Sequence, residues 1–216
     1  MRALTHSLRG RSWLVVLALF AVSCSSPSSP APDRPTPPAI TEEEVNEAQK
    51  AWCKGLVDIA TASRDGRDYV KEANEFIDKV YDFNGRGKVF FRPTLAFTPH
   101  AFRTDKAGTL SYFIGGNPAF PGDGEGFARG PWVSADYSNA LGNGVNGIQI
   151  YGDIALVMGT VTLTDCQGKK TVVDKVFVFR KQAPRELKLI IHMSAKSNEP
   201  PPSPTPTPIA CPKQPK

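Results

Sequence analysis

The stretch Leu187-Lys188-Leu189-Ile190-Ile191-His192-Met193-Ser194 reads as a strand. Successive strand side chains point to opposite faces. Alternation therefore groups Leu189, Ile191 and Met193 on one face and His192 with Ser194 on the other. The run is apolar enough to be buried, and a buried polar group left unpaired costs about 1–3 kcal/mol. The imidazole and the hydroxyl thus need partners or a task. Two readings are open: a hydrogen-bonded core histidine with a nearby serine, or a pair lining a functional pocket.

Upstream, Gln182-Ala183-Pro184-Arg185 turns a hairpin into this strand, and Asp165-Cys166-Gln167-Gly168 turns the hairpin before it. Strands are expected over 88–97, 109–115, 132–140, 147–150, 154–164, 171–181 and 187–195. Two helices precede them. Thr41-Glu42-Glu43-Glu44 is a capping box, and Val45, Ala48, Trp52, Leu56 and Ile59 follow at helical spacing. After Asp65-Gly66, a second stripe over 68–81 uses Tyr69, Val70, Ala73, Phe76, Ile77, Val80 and Tyr81. Two helices followed by a long antiparallel meander predict an α+β domain, with the helices packed on one face of a strongly curved sheet. That element order fits the cystatin-like cone of ketosteroid isomerases, nuclear transport factor and the calmodulin-dependent kinase association domain. In such a cone the sheet and helices enclose a pocket, although fold alone does not fix function.

The ends of the chain differ from this middle. Arg2, Arg9 and Arg11 precede the apolar run Trp13–Phe20, too short for a comfortable span. Residues 1–23 therefore read as an export signal. Ala21-Val22-Ser23-Cys24 resembles the lipobox of bacterial lipoproteins, which makes Cys24 the acylated residue and the membrane reachable only through a lipid anchor. An ordinary signal peptide cut nearby is the plainer alternative. Residues 24–39 form a Ser/Pro-rich tether and 199–216 a Pro-rich tail; fourteen of the 20 prolines lie in these two segments. One domain over 40–198 is expected between them. Removing the three leader arginines from the 26 basic residues leaves 23 against 21 acidic ones. That balance, without a basic cluster, argues against nucleic acid as a partner. Cys53, Cys166 and Cys211 are an odd number for an oxidising compartment. A Cys53–Cys166 pair is possible, and so is pairing of Cys211 with either.

Candidate pocket residues beyond the terminal strand are Thr94, Tyr112 on an expected strand with Leu110 and Ile114, and the loop 115–130 with its six glycines. Taken singly, each has an ordinary structural reading. The histidine count bears on metals: outside the leader only His100 and His192 remain, so one chain cannot build a three-histidine zinc site. Cys53, Cys166 and His192 could supply three ligands, but no ligand spacing supports them. His100 is expected on a surface loop.

Several segments carry a resemblance. Phe91-Arg92-Pro93-Thr94, Phe102-Arg103, Thr109-Leu110-Ser111-Tyr112-Phe113-Ile114-Gly115-Gly116, Gly126-Phe127-Ala128-Arg129-Gly130-Pro131-Trp132, Ala155-Leu156-Val157-Met158-Gly159 and the terminal His192-Met193-Ser194-Ala195 are similar, in order, to motifs of the iota-class carbonic anhydrases. This family was formerly mislabelled as phosphoribosyl-AMP cyclohydrolase. The chain departs from it at the end, where His-His-Ser-Ser becomes His-Met-Ser-Ala. By alternation, His192 and Ser194 keep the pocket face and the replacements fall on the other.

The resemblance implies hydration of carbon dioxide to bicarbonate without metal or other cofactor. It maps the catalytic positions onto Thr94, Tyr112, His192 and Ser194, with Arg103 and Phe113 expected at the substrate. In this reading the hydroxyls hold a water while His192 orients the network or relays a proton. Arg92 or Arg103 could meet the anion, or could be solvated strand-edge charges. Fold precedent suggests a homodimer through the outer sheet face. A non-catalytic ligand-binding or assembly domain of an exported lipoprotein is the alternative.

Overall fold

The computed structural model describes residues 39–85 and 87–197. The expected export signal, the Cys24 tether up to residue 38 and the proline-rich tail lie outside the described residues.

Both expected helices form. Helix α1 runs Glu42–Arg64 and begins on the anticipated box: Thr41 Oγ1 accepts from the Glu44 amide at 3.2 Å, and Glu44 accepts from the Thr41 amide at 3.0 Å. Its stripe of Val45, Trp52, Leu56 and Ile59 is buried. Helix α2, Tyr69–Val80, is capped by Asp68 and buries Ala73, Phe76, Ile77 and Val80. Both helices pack on the buried face of a six-stranded sheet of order β1-β6-β5-β4-β2, with β3 also paired to β4. The strands are β1 Phe90–Arg92, β2 Trp132–Ser138, β3 Ile148–Tyr151, β4 Ile154–Asp165, β5 Lys170–Ala183 and β6 Glu186–Lys196. The architecture is α+β.

Three expectations need correction. The segment 109–115 is helical, not a strand: α3 spans Lys106–Ile114, capped by the Asp105 side chain on the Gly108 amide at 2.7 Å. It ends where Gly115 turns to φ 72°. Its strand-like composition reflects burial, since Thr109, Ser111, Tyr112, Phe113 and Ile114 are all buried and no solvent face imposes a polar stripe. Second, the sheet is not wholly antiparallel. Edge strand β1 is only three residues long and runs parallel to β6, with Phe91 opposite His192.

Third, the alternation along β6 is interrupted. Val178 pairs with Ile191 but Phe179 pairs with Leu189, so Ile190 is an extra residue, a β-bulge. The bulge puts Leu189 on the same face as His192 and Ser194, all three buried, while Ile191 and Met193 emerge 37% and 49% exposed. The two cysteines considered for pairing are also not joined. Cys53 is buried and free, whereas Cys166, at the β4–β5 turn, is disulfide-bonded.

Candidate active site

Three hydroxyls from three separate stretches meet at the end of β1. Thr94 follows β1 past Pro93, and its hydroxyl donates to Ser194 Oγ on β6 at 2.8 Å. Helix α3 brings Tyr112 to the same place. Its phenol lies beside the Thr94 side chain and the backbone of Thr94 and Leu95, yet it is buried without a hydrogen bond of sound geometry. Burial pushes this phenol up to about 12, so it stays protonated at neutral pH and can donate.

Two backbone contacts seat α3. Gly115 and Gly126 both have positive φ, and a Cβ on Gly126 would lie 2.3 Å from the Ile114 carbonyl carbon. The 115–130 loop therefore closes directly onto the C-terminus of the helix carrying Tyr112. Asp123 from that loop accepts from Ser111 Oγ at 2.6 Å and pairs with Arg103 at 2.7 Å.

His192 belongs to a second layer. Its ring stacks on Phe91, centroids 4.4 Å apart, and Phe91 meets Tyr112 edge-on at 5.4 Å. Nδ1 lies 2.8 Å from the Tyr81 hydroxyl, and Nε2 lies 3.2 Å from Lys175 Nζ. Trp52 Nε1 donates to that same Tyr81 oxygen at 3.2 Å. Both imidazole nitrogens are thus engaged within the protein. Burial, and Lys175 beside it, hold the ring well below the usual histidine range, which keeps it neutral and a weak base.

The chain and its fold have counterparts among known proteins. Residues 43–196 match the family model described as metal-independent carbonic anhydrase. A protein of that description from Nostoc sp. (strain PCC 7120) is 44% identical over 159 residues, covering 73% of this chain and 74% of the relative. The crystal structure of a cyanobacterial iota-carbonic anhydrase complexed with bicarbonate superposes with a TM-score of 0.68 at 42% identity, over 75% of this chain and 95% of that one.

The chain belongs to the metal-independent carbonic anhydrases. Among its described residues no group of three or more His, Cys, Asp and Glu side chains is arranged to hold a metal ion. His100 is exposed and rests against Phe120, remote in chain and contacts from His192. The two positions where the chain departs from the family ending, Met193 and Ala195, are exposed on the outer sheet face.

The expected substrate residues sit differently from one another. Arg103 is not a solvated edge charge: it is 2% exposed, donates to the Gly108 carbonyl at 3.1 Å and pairs with Asp123. Its positive charge is thereby committed within the protein. Arg103 and Asp123 line a cavity with Ala96, Phe97, His100 and Phe120; Thr94, Tyr112 and Ser194 are not among its lining residues. Phe113 is buried among Phe76, Phe91 and Tyr112, as a floor beneath Tyr112.

Four participants escaped the sequence reading. Trp52 and Tyr81 looked like ordinary members of helical stripes, and Asp123 like a loop residue. Lys175 carried a usable signal: it occupies the inward parity of Val173, Phe177 and Phe179 on β5, where a charged side chain is out of place.

Proposed function

We propose that this chain interconverts carbon dioxide and bicarbonate at the hydroxyl cluster of Thr94, Tyr112 and Ser194, without a metal. The carrying observation is the meeting of those hydroxyls, one of them a buried phenol with no hydrogen-bond acceptor. Thr94 spends its hydrogen on Ser194, so Ser194 and Tyr112 both have a hydrogen to give. Two buried donors brought together favour the oxygens of bicarbonate, where charge has accumulated, over those of neutral carbon dioxide. Preorganised donors of this kind supply differential stabilisation of the developing anion. His192, fixed by Tyr81 and Lys175, orients β6 and Ser194.

The test is carbon dioxide hydration followed by pH indicator in stopped flow. Activity above buffer that persists in chelator, and that drops on the order of a hundredfold in Tyr112→Phe, fits the reading. A folded wild type without activity favours a non-catalytic binding domain instead.

The assembly and location proposed with this function rest on separate features. Phe90, Leu156, Met158, Ile191 and Met193 are apolar residues on the outer face, each between 37% and 54% exposed. The pairings Phe90 with Ile191, Val178 with Ile191 and Leu156, and Val176 with Met193 and Met158 make them one patch across four strands. An apolar sheet face of this kind suits a second copy of the chain. The bonded state of Cys166 accords with an exported protein in an oxidising compartment, held to the membrane by acylated Cys24.

A further inference from the structure

The chain has four cysteines, Cys24, Cys53, Cys166 and Cys211. Cys166 is disulfide-bonded, whereas Cys53 is a free thiol buried in the hydrophobic core. By elimination, the sulfur bonded to Cys166 belongs to Cys24 or to Cys211, both outside the described residues.

Cys166 sits on a fixed backbone. It follows β4 in a turn where Asp165 Oδ1 accepts from the amides of Gln167 and Lys169 at 2.8 and 2.9 Å. Its own amide donates to the Pro131 carbonyl at 3.1 Å. The residue is half-buried, so an incoming segment can meet it from the surface.

Reach separates the two partners. Strand β6 ends at Lys196, opposite Val173, and the Ser197 amide donates to the Val172 carbonyl at 3.3 Å. Val172 is level with Thr162 on β4, four residues short of Cys166. Two strand spacings across and that rise along the strand put Cys166 roughly 15–20 Å from Ser197. The fourteen residues leading from Ser197 to Cys211 can span about 43 Å, so Cys211 reaches this turn with slack. At the other end, the chain enters the fold at Ile40, whose amide donates to the Gly152 carbonyl at 2.8 Å, just ahead of β4. Cys166 lies beyond the far end of that strand, whose 12 residues cover roughly 40 Å. The sixteen residues from Cys24 to Ile40 can span about 50 Å. They would have to lie almost straight along the sheet, which costs conformational entropy. A Cys24 sulfur already bonded to a lipid also has no thiol left to oxidise, an argument that rests on the anchoring reading above.

We propose that Cys166 and Cys211 form an intrachain disulfide that ties the proline-rich tail back to the β4–β5 turn. In its formation, one cysteine thiolate attacks a protein disulfide of the export compartment and displaces one donor sulfur. The second cysteine sulfur then attacks the mixed disulfide and displaces the other. This chain is oxidised by two electrons, the donor is reduced to a dithiol, and the two thiol protons end on the donor sulfurs. The bond closes a ring that contains β5 and β6, and with them His192 and Ser194. Ser194 lies two residues before the end of β6, so the strap secures the strand end that brings this hydroxyl to Thr94. The odd cysteine count is also resolved: one sulfur carries the anchor, two form the bond, and Cys53 stays a thiol in the core.

The experiment uses the full chain, exported with its leader and purified without reductant. Proteolysis and mass spectrometry are expected to find the Cys166 and Cys211 peptides linked, and separated by reductant. Thiol labelling of the denatured wild type is expected at Cys53 alone. Cys166→Ser is expected to add a labelled thiol at Cys211, and Cys211→Ser one at Cys166. Each single variant is expected to lose about 10 °C in Tm, and the double variant no more, because all three open the same ring. A Cys166 peptide linked to Cys24, a covalent dimer dissolved by reductant, a labelled Cys166 in the wild type, or Tm losses that add in the double variant overturns the proposal. Label on Cys24 beside an intact Cys166–Cys211 link overturns the lipid anchor instead and supports the pairing.

Discussion

Replacing Lys175 by methionine is expected to stabilise the protein, and to do so in a pH-dependent way. The ordinary lysine value of 10.5 falls to about 7 in the fold, with burial as the leading cause. At about 1.4 kcal/mol per pH unit, that displacement corresponds to a penalty on the order of 5 kcal/mol. The sign follows from proton counting. Between the two values the unfolded chain holds a proton that the native state does not, so native stability rises with pH across this window. Below about pH 7 both states are protonated and the penalty is complete; towards 10.5 it vanishes. Methionine fills a similar volume without charge but leaves His192 Nε2 without a partner, a cost of about 1–3 kcal/mol. The net gain near pH 6 is then roughly 2–4 kcal/mol, a rise in Tm of the order of 10 °C for a domain of this size. Urea unfolding at a series of pH values checks it: the wild type should gain stability from about pH 7 to 9 while the variant stays nearly flat. His192 acts in the same direction at lower pH. Its depressed value means that stability is lost as pH falls below 6.5, where the unfolded imidazole takes up a proton that the buried one refuses. Parallel wild-type and variant profiles above neutrality would show that the amine carries no such penalty, and would refute the reasoning.

Thr94→Val should lower stability by about 1–2 kcal/mol, because Ser194 Oγ loses its donor, and should lower kcat more than it raises KM; denaturant titration and stopped flow measure the two. Asp123→Asn leaves Arg103 buried with its charge uncompensated and weakens the hold on Ser111. A loss of about 3–5 kcal/mol and faster protease cleavage within residues 115–130 are expected. Ile191→Asp puts a charge in the outer apolar patch; light scattering is expected to report a dimer for the wild type and a monomer for the variant, and equal masses would remove that face from the proposed assembly.

Local signals in the sequence were reliable where the chain decides its own conformation. The Thr41–Glu44 box, the two helical stripes and the turns at 165–168 and 182–185 each depend on neighbours within a few residues. The failures came where distant contacts decide. Helix α3 is enclosed on most sides, so Thr109–Ile114 shows no amphipathic period; only the flanking Asp105 and Gly115, an N-cap and a left-handed stop, carried a helical signal. The parallel pairing of β1 with β6 joins residues about a hundred positions apart, beyond any local pattern. The bulge at Ile190 is invisible in Leu-Ile-Ile, yet it decides which of the following side chains face inward with Leu189. The His192–Ser194 spacing was legible because it lies wholly beyond the bulge. The ligands of His192 were not, because Tyr81 and Trp52 satisfy helical periodicity equally well as plain core residues.

The separation between the hydroxyl cluster and the imidazole suggests why the site has two layers. A base in direct contact with substrate would have to be charged in half of the cycle, and among side chains this buried each ionisation is expensive. The three hydroxyls stay neutral throughout: Tyr112 cannot ionise near neutral pH, and Thr94 and Ser194 only redirect hydrogens. Charge is thereby confined to the anion itself, met by the Ser194 and Tyr112 donors.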